Sequence, residues 1–362
     1  MNTRKMIAVC LTLVLALGLP LTVLAEEYDL ANGSIEVTAK EDGQYVSQTN
    51  GVANEKQTTA TVIRQTGGST ENTVTIKAEE KQTANVTLSG VNIDTSKNGG
   101  AAVTTGGKGN VTIELDGSNT VKSGNFHAGV EKKNEGNLTI ADENKNGSLN
   151  ATGGENGAGI GGGGVGDGTD ITVSGGEVTA KGGEGGAGIG GGIYGTGTDI
   201  TVSNDAQVKA QGGKEGSLAG TGAGIGDGGK DGENGTELSQ NPDKLNEGTI
   251  RYYAPGANMQ TDAPTKIVYN PNGNHNWDGG KVTTPATCTG PGVRTYTCQT
   301  HSIHTKTQEI PALEHKFETY VYNNDATYEA DGTETALCAH PGCGVTDTRR
   351  APGTRLYWPV LY

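Results

Sequence analysis

The chain has 362 residues, with 61 Gly against two Trp and two Phe, and 41 acidic residues against 27 basic ones. That composition excludes a core built on aromatic rings, and the acidic balance disfavours nucleic acid, whose phosphates need cations. A chain this rich in Gly, Asn and Thr would stay disordered without some regularity, and what it has is an internal repeat.

In chain order, the first element is a leader. Arg4 and Lys5 form a basic start, MIAVCLTLVLALGLPLTVLA is apolar, and Val23 and Ala25 stand where signal peptidase takes small residues. Residues 1–25 therefore read as a secretory signal, with removal favoured over retention as a membrane anchor. Cys10 has too little apolar sequence before it to serve as a lipid-attachment site. Loss of the leader leaves 25 basic residues against 41 acidic, a net charge of −16. No second apolar stretch of about 20 residues follows, so no further span is expected. The expected location is outside the cell, with association at the cell surface as an option.

Residues 26–75 are expected to cap a repeat that fills 76–253. A small-residue motif ends at Val103, Val130, Ile160, Ile189 and Ile225, as GGAAV, HAGV and three copies of GAGI, at spacings of 27, 30, 29 and 36. A second motif alternates apolar pairs at Val86/Leu88, Val111/Ile113, Leu138/Ile140, Ile171/Val173 and Ile200/Val202. A third does so at Leu149/Ala151, Val178/Ala180 and Val208/Ala210. Three short alternations per coil, separated by Gly, Asn and Asp turns, predict a β-solenoid with three-strand coils of about 29 residues. The all-β core is then a narrow inward ladder of Val, Ile and Leu, and the glycines are corner residues that need positive φ or close stacking. A phosphate-binding loop is a poor reading of GAGIGGG, because no helix-forming segment follows it.

LSGVNID, GNVTIELDGSNTVKSG, HAGV and GSLNATGGENGAGIGGG with its second GAGIGGG carry a resemblance over Tyr28 to Tyr253. The chain resembles secreted surface proteins, mostly of anaerobic Firmicutes, with a right-handed parallel β-helix of carbohydrate-binding-like type. The resemblance implies extracellular surface work and, in some relatives, binding of acidic sugars with calcium.

The residues themselves offer a calcium site and little catalysis. Asp170 and Asp199 share a repeat position, so they should stack on adjacent coils, with Asp167, Asp227 and Asp231 in neighbouring turns. A hard cation would relieve their repulsion; the alternative is turn aspartates bonded to local N–H groups. Tyr194 is a candidate ring for sugar contact, although Phe126, Tyr194, Tyr252 and Tyr253 are too few for a flat stacking surface. Polysaccharide lyases on such helices use a basic residue, often Arg, as proton acceptor, yet no Arg occurs between Arg64 and Arg251; hydrolases need paired Asp, which are absent.

After an expected linker over 254–272, Cys, His and Trp appear and the sequence repeats with a shift of 40, as modules 273–312 and 313–352 and a tail 353–362. His275 matches His315, Trp277 matches Phe317, and Cys298 matches Cys338, while Tyr328 stands where the first module has Cys288. The pair resembles the Cys/His repeats of secreted clostridial proteins. Two small β-rich modules of this size need a staple. Zinc would take His275, Cys288, Cys298 and His301, with His304 near, in the first, and His315, Cys338, Cys343 and His340 in the second. Disulfides Cys288–Cys298 and Cys338–Cys343 are the alternative that an oxidising compartment allows. A Cys–His catalytic dyad lacks a visible orienting partner.

The expected whole is a secreted, non-catalytic surface protein, adhering to or binding glycans or cell-surface polymers. A calcium-dependent polysaccharide lyase and a structural spacer are the alternatives. The closing RLYWPVLY carries no sorting motif, so release, or membership of a longer chain, is expected.

Overall fold

A computed structural model describes residues 12–13, 21–22, 26–51, 53, 55–56 and 61–358. The expected leader lies outside the described residues, apart from the backbone pair Thr12–Leu13 with Leu21–Thr22. Among the described residues, no helix is long and apolar enough to cross a membrane. The chain divides into two compact units, Met1–Asn274 and His275–Tyr362.

The first unit is a parallel β-solenoid with three sheets, and the three sequence motifs supply one sheet each. In the first sheet, Val103, Val130, Ile160, Ile189 and Ile225 stand in register, one per coil. In the second, Val111, Leu138, Ile171 and Ile200 form one column, and Ile113, Ile140, Val173 and Val202 another. In the third, the columns are Leu149, Val178, Val208, Ile250 and Ala151, Ala180, Ala210, Tyr252. All of these side chains are buried in one continuous core. At about 1.5–3 kcal/mol for each fully buried Val, Leu or Ile, the ladder is the main stabilising element.

Two glycine columns explain GAGIGGG. Gly161, Gly190 and Gly226 follow the inward Ile with φ of +132°, +138° and +141°, where an L side chain is strained. Gly157, Gly186 and Gly222 stack so tightly that a Cβ on any of them would lie 1.9–2.2 Å from the carbonyl oxygen of the preceding coil. The repeat therefore conserves its own backbone contact, coil upon coil.

Residues 26–75 also enter the ladders. Glu26–Asp29 pairs in parallel with Thr61–Arg64, and Ile35–Lys40 with Val74–Ala78. The strand Gly43–Gln48 then turns antiparallel onto Ile35–Lys40 and covers that edge. At the other end each sheet is closed differently. The Glu237 carboxylate accepts the Gly224 and Ile225 N–H groups at 3.0 and 2.8 Å. The Gln240 side chain bonds the Val202 N–H and the Ile200 carbonyl. Within 254–272, Lys266–Tyr269 folds back antiparallel onto Thr249–Tyr253. Such caps keep open strand edges from recruiting other chains.

The second unit holds two three-stranded antiparallel sheets, Lys281–Thr284, Gly292–Thr297, Thr305–Ile310 and Tyr320–Tyr322, Thr333–Leu337, Thr346–Arg350. Their near-constant offset is the repeat of 40 seen in the sequence.

Candidate metal centres

Two groups of Cys and His converge in the second unit. In each, the ligand atoms lie within 4.8 Å of one another: Cys288, His315, Cys338 and Cys343 in one, and His275, Cys298 and His304 in the other. The four cysteines are free thiols.

Each centre sits where a central strand ends. Cys298 follows Gly292–Thr297, and Cys338 follows Thr333–Leu337. Both side chains are buried, at 2% and 5% exposure. His275 precedes Trp277, which bridges to Cys298, and the rings of His275 and Trp277 lie 4.7 Å apart. His315 stands in the same relation to Phe317, with ring centroids 5.8 Å apart.

The grouping differs from the one that the repeat predicts. Cys288 leaves its own module and joins the second. Its Sγ lies 3.7 Å from Cys338 Sγ and 3.5 Å from His340 Nδ1. The loop that carries it is held there by the Thr287 carbonyl, which accepts the Leu313 N–H at 2.9 Å. The Cys288–Cys298 pairing has no counterpart in this arrangement. The second module's equivalent residue, Tyr328, is no ligand: its ring stacks on Trp358 at 4.4 Å. The first centre fills its set with His304 instead, fully buried, whose ring is 4.8 Å from that of His275. His301 lies beside it at 5.1 Å, and its buried Nδ1 has no hydrogen-bond partner. His315 Nδ1 is 3.2 Å from Cys343 Sγ, and His340 Nδ1 is 3.7 Å from Cys338 Sγ.

The sulfurs do not ionise alike. Burial opposes ionisation of Cys338, but the backbone of His340 and Lys316 and the side chains of His315 and Cys343 bring its thiol down to about 5. The bond to Cys343, burial and the Cys338 thiolate together push Cys288 up to about 12. At Cys298, burial is outweighed by Thr300, whose hydroxyl is 3.0 Å away, and by His301 and His275, so its thiol is lowered.

The donor set fits a soft divalent ion. Tetrahedral zinc with Zn–S of about 2.3 Å places two sulfurs ~3.8 Å apart, as Cys288 and Cys338 are placed. The orphaned His301 nitrogen and the three converging ligands beside it suit a second ion.

On the solenoid the turn aspartates are engaged in other work. Asp167 Oδ1 accepts the Thr196 N–H at 2.7 Å and its hydroxyl at 2.9 Å, and Asp227 Oδ1 accepts the Gly197 N–H at 2.8 Å. Asp170 and Asp199 occupy the same corner on adjacent coils, each with φ of +54°, and the Ile171 N–H bonds the Asp199 carbonyl. Asp170 faces the charge of the buried Lys132, whose pKa burial lowers and Asp170 raises. Tyr194 is exposed and donates its hydroxyl to the Leu218 carbonyl at 3.0 Å.

A groove of about 560 Å³ runs along the outer face of the third sheet, a feature not visible in the repeat pattern. Asn150, Thr179 and Lys209 form one outward column of its floor, and Lys181 and Gln211 the next. The segment Gly256–Gln260 walls it, tied down by the Gln211 amide, which donates to the carbonyls of Ala254 and Ala257.

No protein-family model, curated protein or solved structure matches the chain.

Proposed function

We propose that this is a secreted, non-catalytic surface protein that binds glycans through its solenoid and stabilises its second unit with zinc. The groove on the third sheet is the observation that carries the glycan reading. Its floor is made of amide, hydroxyl and ammonium groups, Asn150, Thr179, Lys181 and Lys209, in a chain whose net charge is strongly negative. Ligand pockets for drug-like molecules are mostly apolar. A polar, open trough running across stacked strands suits an extended chain of hydroxyls. Binding without calcium is the form favoured, since Asp167 and Asp227 already bond backbone N–H groups. Zinc is favoured because thiolates and imidazoles are its preferred ligands.

The test is a glycan array probed in calcium and again in chelator, with zinc-loaded protein. Retention of a defined set of polysaccharides in both buffers is expected. No retention in either would leave the rod a spacer. A rise in ultraviolet absorbance on incubation with polygalacturonate would make it a lyase, against the proposal.

A further inference from the structure

One coil departs from its own repeat. Where the next two coils carry Gly157 and Gly186, it has His127. Where they carry Gly161 and Gly190, it has Glu131, in direct register. Lys132 and Lys133 replace Gly162 and Gly163, and Phe126 replaces Asn156 and Gly185. Glycine, or Asn at the position of Phe126, therefore suffices for the ladder at these positions.

The substitutions meet in space. Glu131 is 3% exposed, and its carboxylate is shared between His127 Nδ1 at 2.5 Å and Lys133 Nζ at 2.6 Å. Room for it comes from the next coil, where a Cβ on Gly163 would stand 2.9 Å from Glu131 Oε1. Phe126 sits at φ +65°, a conformation that its counterparts Asn156 and Gly185 adopt at +68°. For a bulky side chain that backbone is strained by roughly 1–2 kcal/mol. Nothing is gained in the core, because Phe126 is 60% exposed. Its ring rests over Gly164, 3.6 Å from where a Cβ would be. A strained backbone holding an exposed, supported ring beside a buried charge cluster is an arrangement built for contact.

The geometry points to a saccharide-binding site on this coil, taking one neutral pyranose ring. The Phe126 face would cover the ring's C–H side. His127, fixed at Nδ1 by Glu131, keeps Nε2 for a hydroxyl, and Lys133 keeps two of its protons. The charges of Glu131 and Lys133 offset each other, so hydroxyls are favoured over an anion. The inference rests on the glycan reading above but concerns a coil and residues separate from the groove.

The mature chain has two phenylalanines, Phe126 and Phe317, so ¹³C labelling of Phe rings gives two assignable signals. Methyl glycosides of glucose, galactose and mannose are titrated into the full zinc-loaded chain. The Phe126 signal is expected to shift with one of them, with Phe317 unmoved. Phe126→Asn installs the neighbouring coil's residue, so it should melt no lower than wild type while binding that glycoside at least about tenfold more weakly. Lys133→Ala should weaken it too. Undiminished binding by Phe126→Asn, or an unmoved Phe126 signal while the groove still retains polysaccharide, overturns this site alone. An unmoved signal with no retention by the groove overturns the glycan reading as well.

Discussion

The glycines after each inward Ile have two separate duties, and substitution can tell them apart from mere flexibility. A Cβ on Gly190 would lie 1.9 Å from the Gly226 carbonyl oxygen, at φ +138°. Gly190→Ala is expected to cost about 1–3 kcal/mol or more, read as a lower midpoint in urea. Ile160, fully buried between Val130 and Ile189, should be costlier still: Ile160→Asp puts a charge in the ladder and should lose several kcal/mol. An unchanged midpoint for Ile160→Asp would mean that the column does not face inward. Asp29 sets a pH dependence. Burial opposes its ionisation, yet bonds from the Thr66 hydroxyl and from the N–H groups of Ala31 and Thr66, with Arg64 beside it, hold its carboxyl below 3.8. A depressed carboxyl gives stability that is complete above the unfolded value and fades as pH falls through the lower folded one. The difference in melting temperature between wild type and Asp29→Asn should be large at pH 7 and close below 3.8.

At the scale of elements, the sheets were readable from sequence and the Cys/His clusters only partly so. Alternating pairs such as Ile171/Val173 and Ile200/Val202 stand in register because a ladder needs the same residue type at the same place on every coil. The Cys/His residues were visible as ligands, but the repeat of 40 assigned Cys288 to its own module. A period pairs residues of equal position; it does not report a loop that crosses to the neighbouring module, as Cys288 does to reach Cys338. His304 was passed over for His301, three residues earlier, because spacing alone does not say which ring turns inward. The groove was hidden because its wall, Gly256–Gln260, lies outside the repeat. The crossed grouping makes an unusual prediction. Cys288→Ser should lower amide protection in the strands between Tyr320 and Arg350 while Lys281–Ile310 keeps its own. His304→Ala should do the reverse. Native mass spectrometry of the wild type should count two zinc ions with four reduced cysteines, and chelation should unfold the second unit only, because metal-binding energy is folding energy in modules this small. Loss of two hydrogens per cysteine pair, with no zinc, would replace metal by disulfides.

For the molecule as a whole, the narrow ladder accounts for a composition that would otherwise suggest disorder. Stacked coils need no aromatic core, and the glycines that recur at their corners are held by close backbone contact or positive φ, a structural requirement rather than a source of slack. The same regularity lays side chains in straight outward rows, and the row Asn150, Thr179, Lys209 beside Lys181 is walled by Gly256–Gln260. The central claim is that polysaccharide binds along that row. It is tested most directly by titrating the strongest array ligand into wild type and into Lys181→Ala/Lys209→Ala. Both lysines are outward-facing, so the double variant should melt as wild type does and bind at least about tenfold more weakly, since hydrogen bonds from charged groups contribute about 1.5–3 kcal/mol each. Equal affinity of the two proteins would contradict the claim.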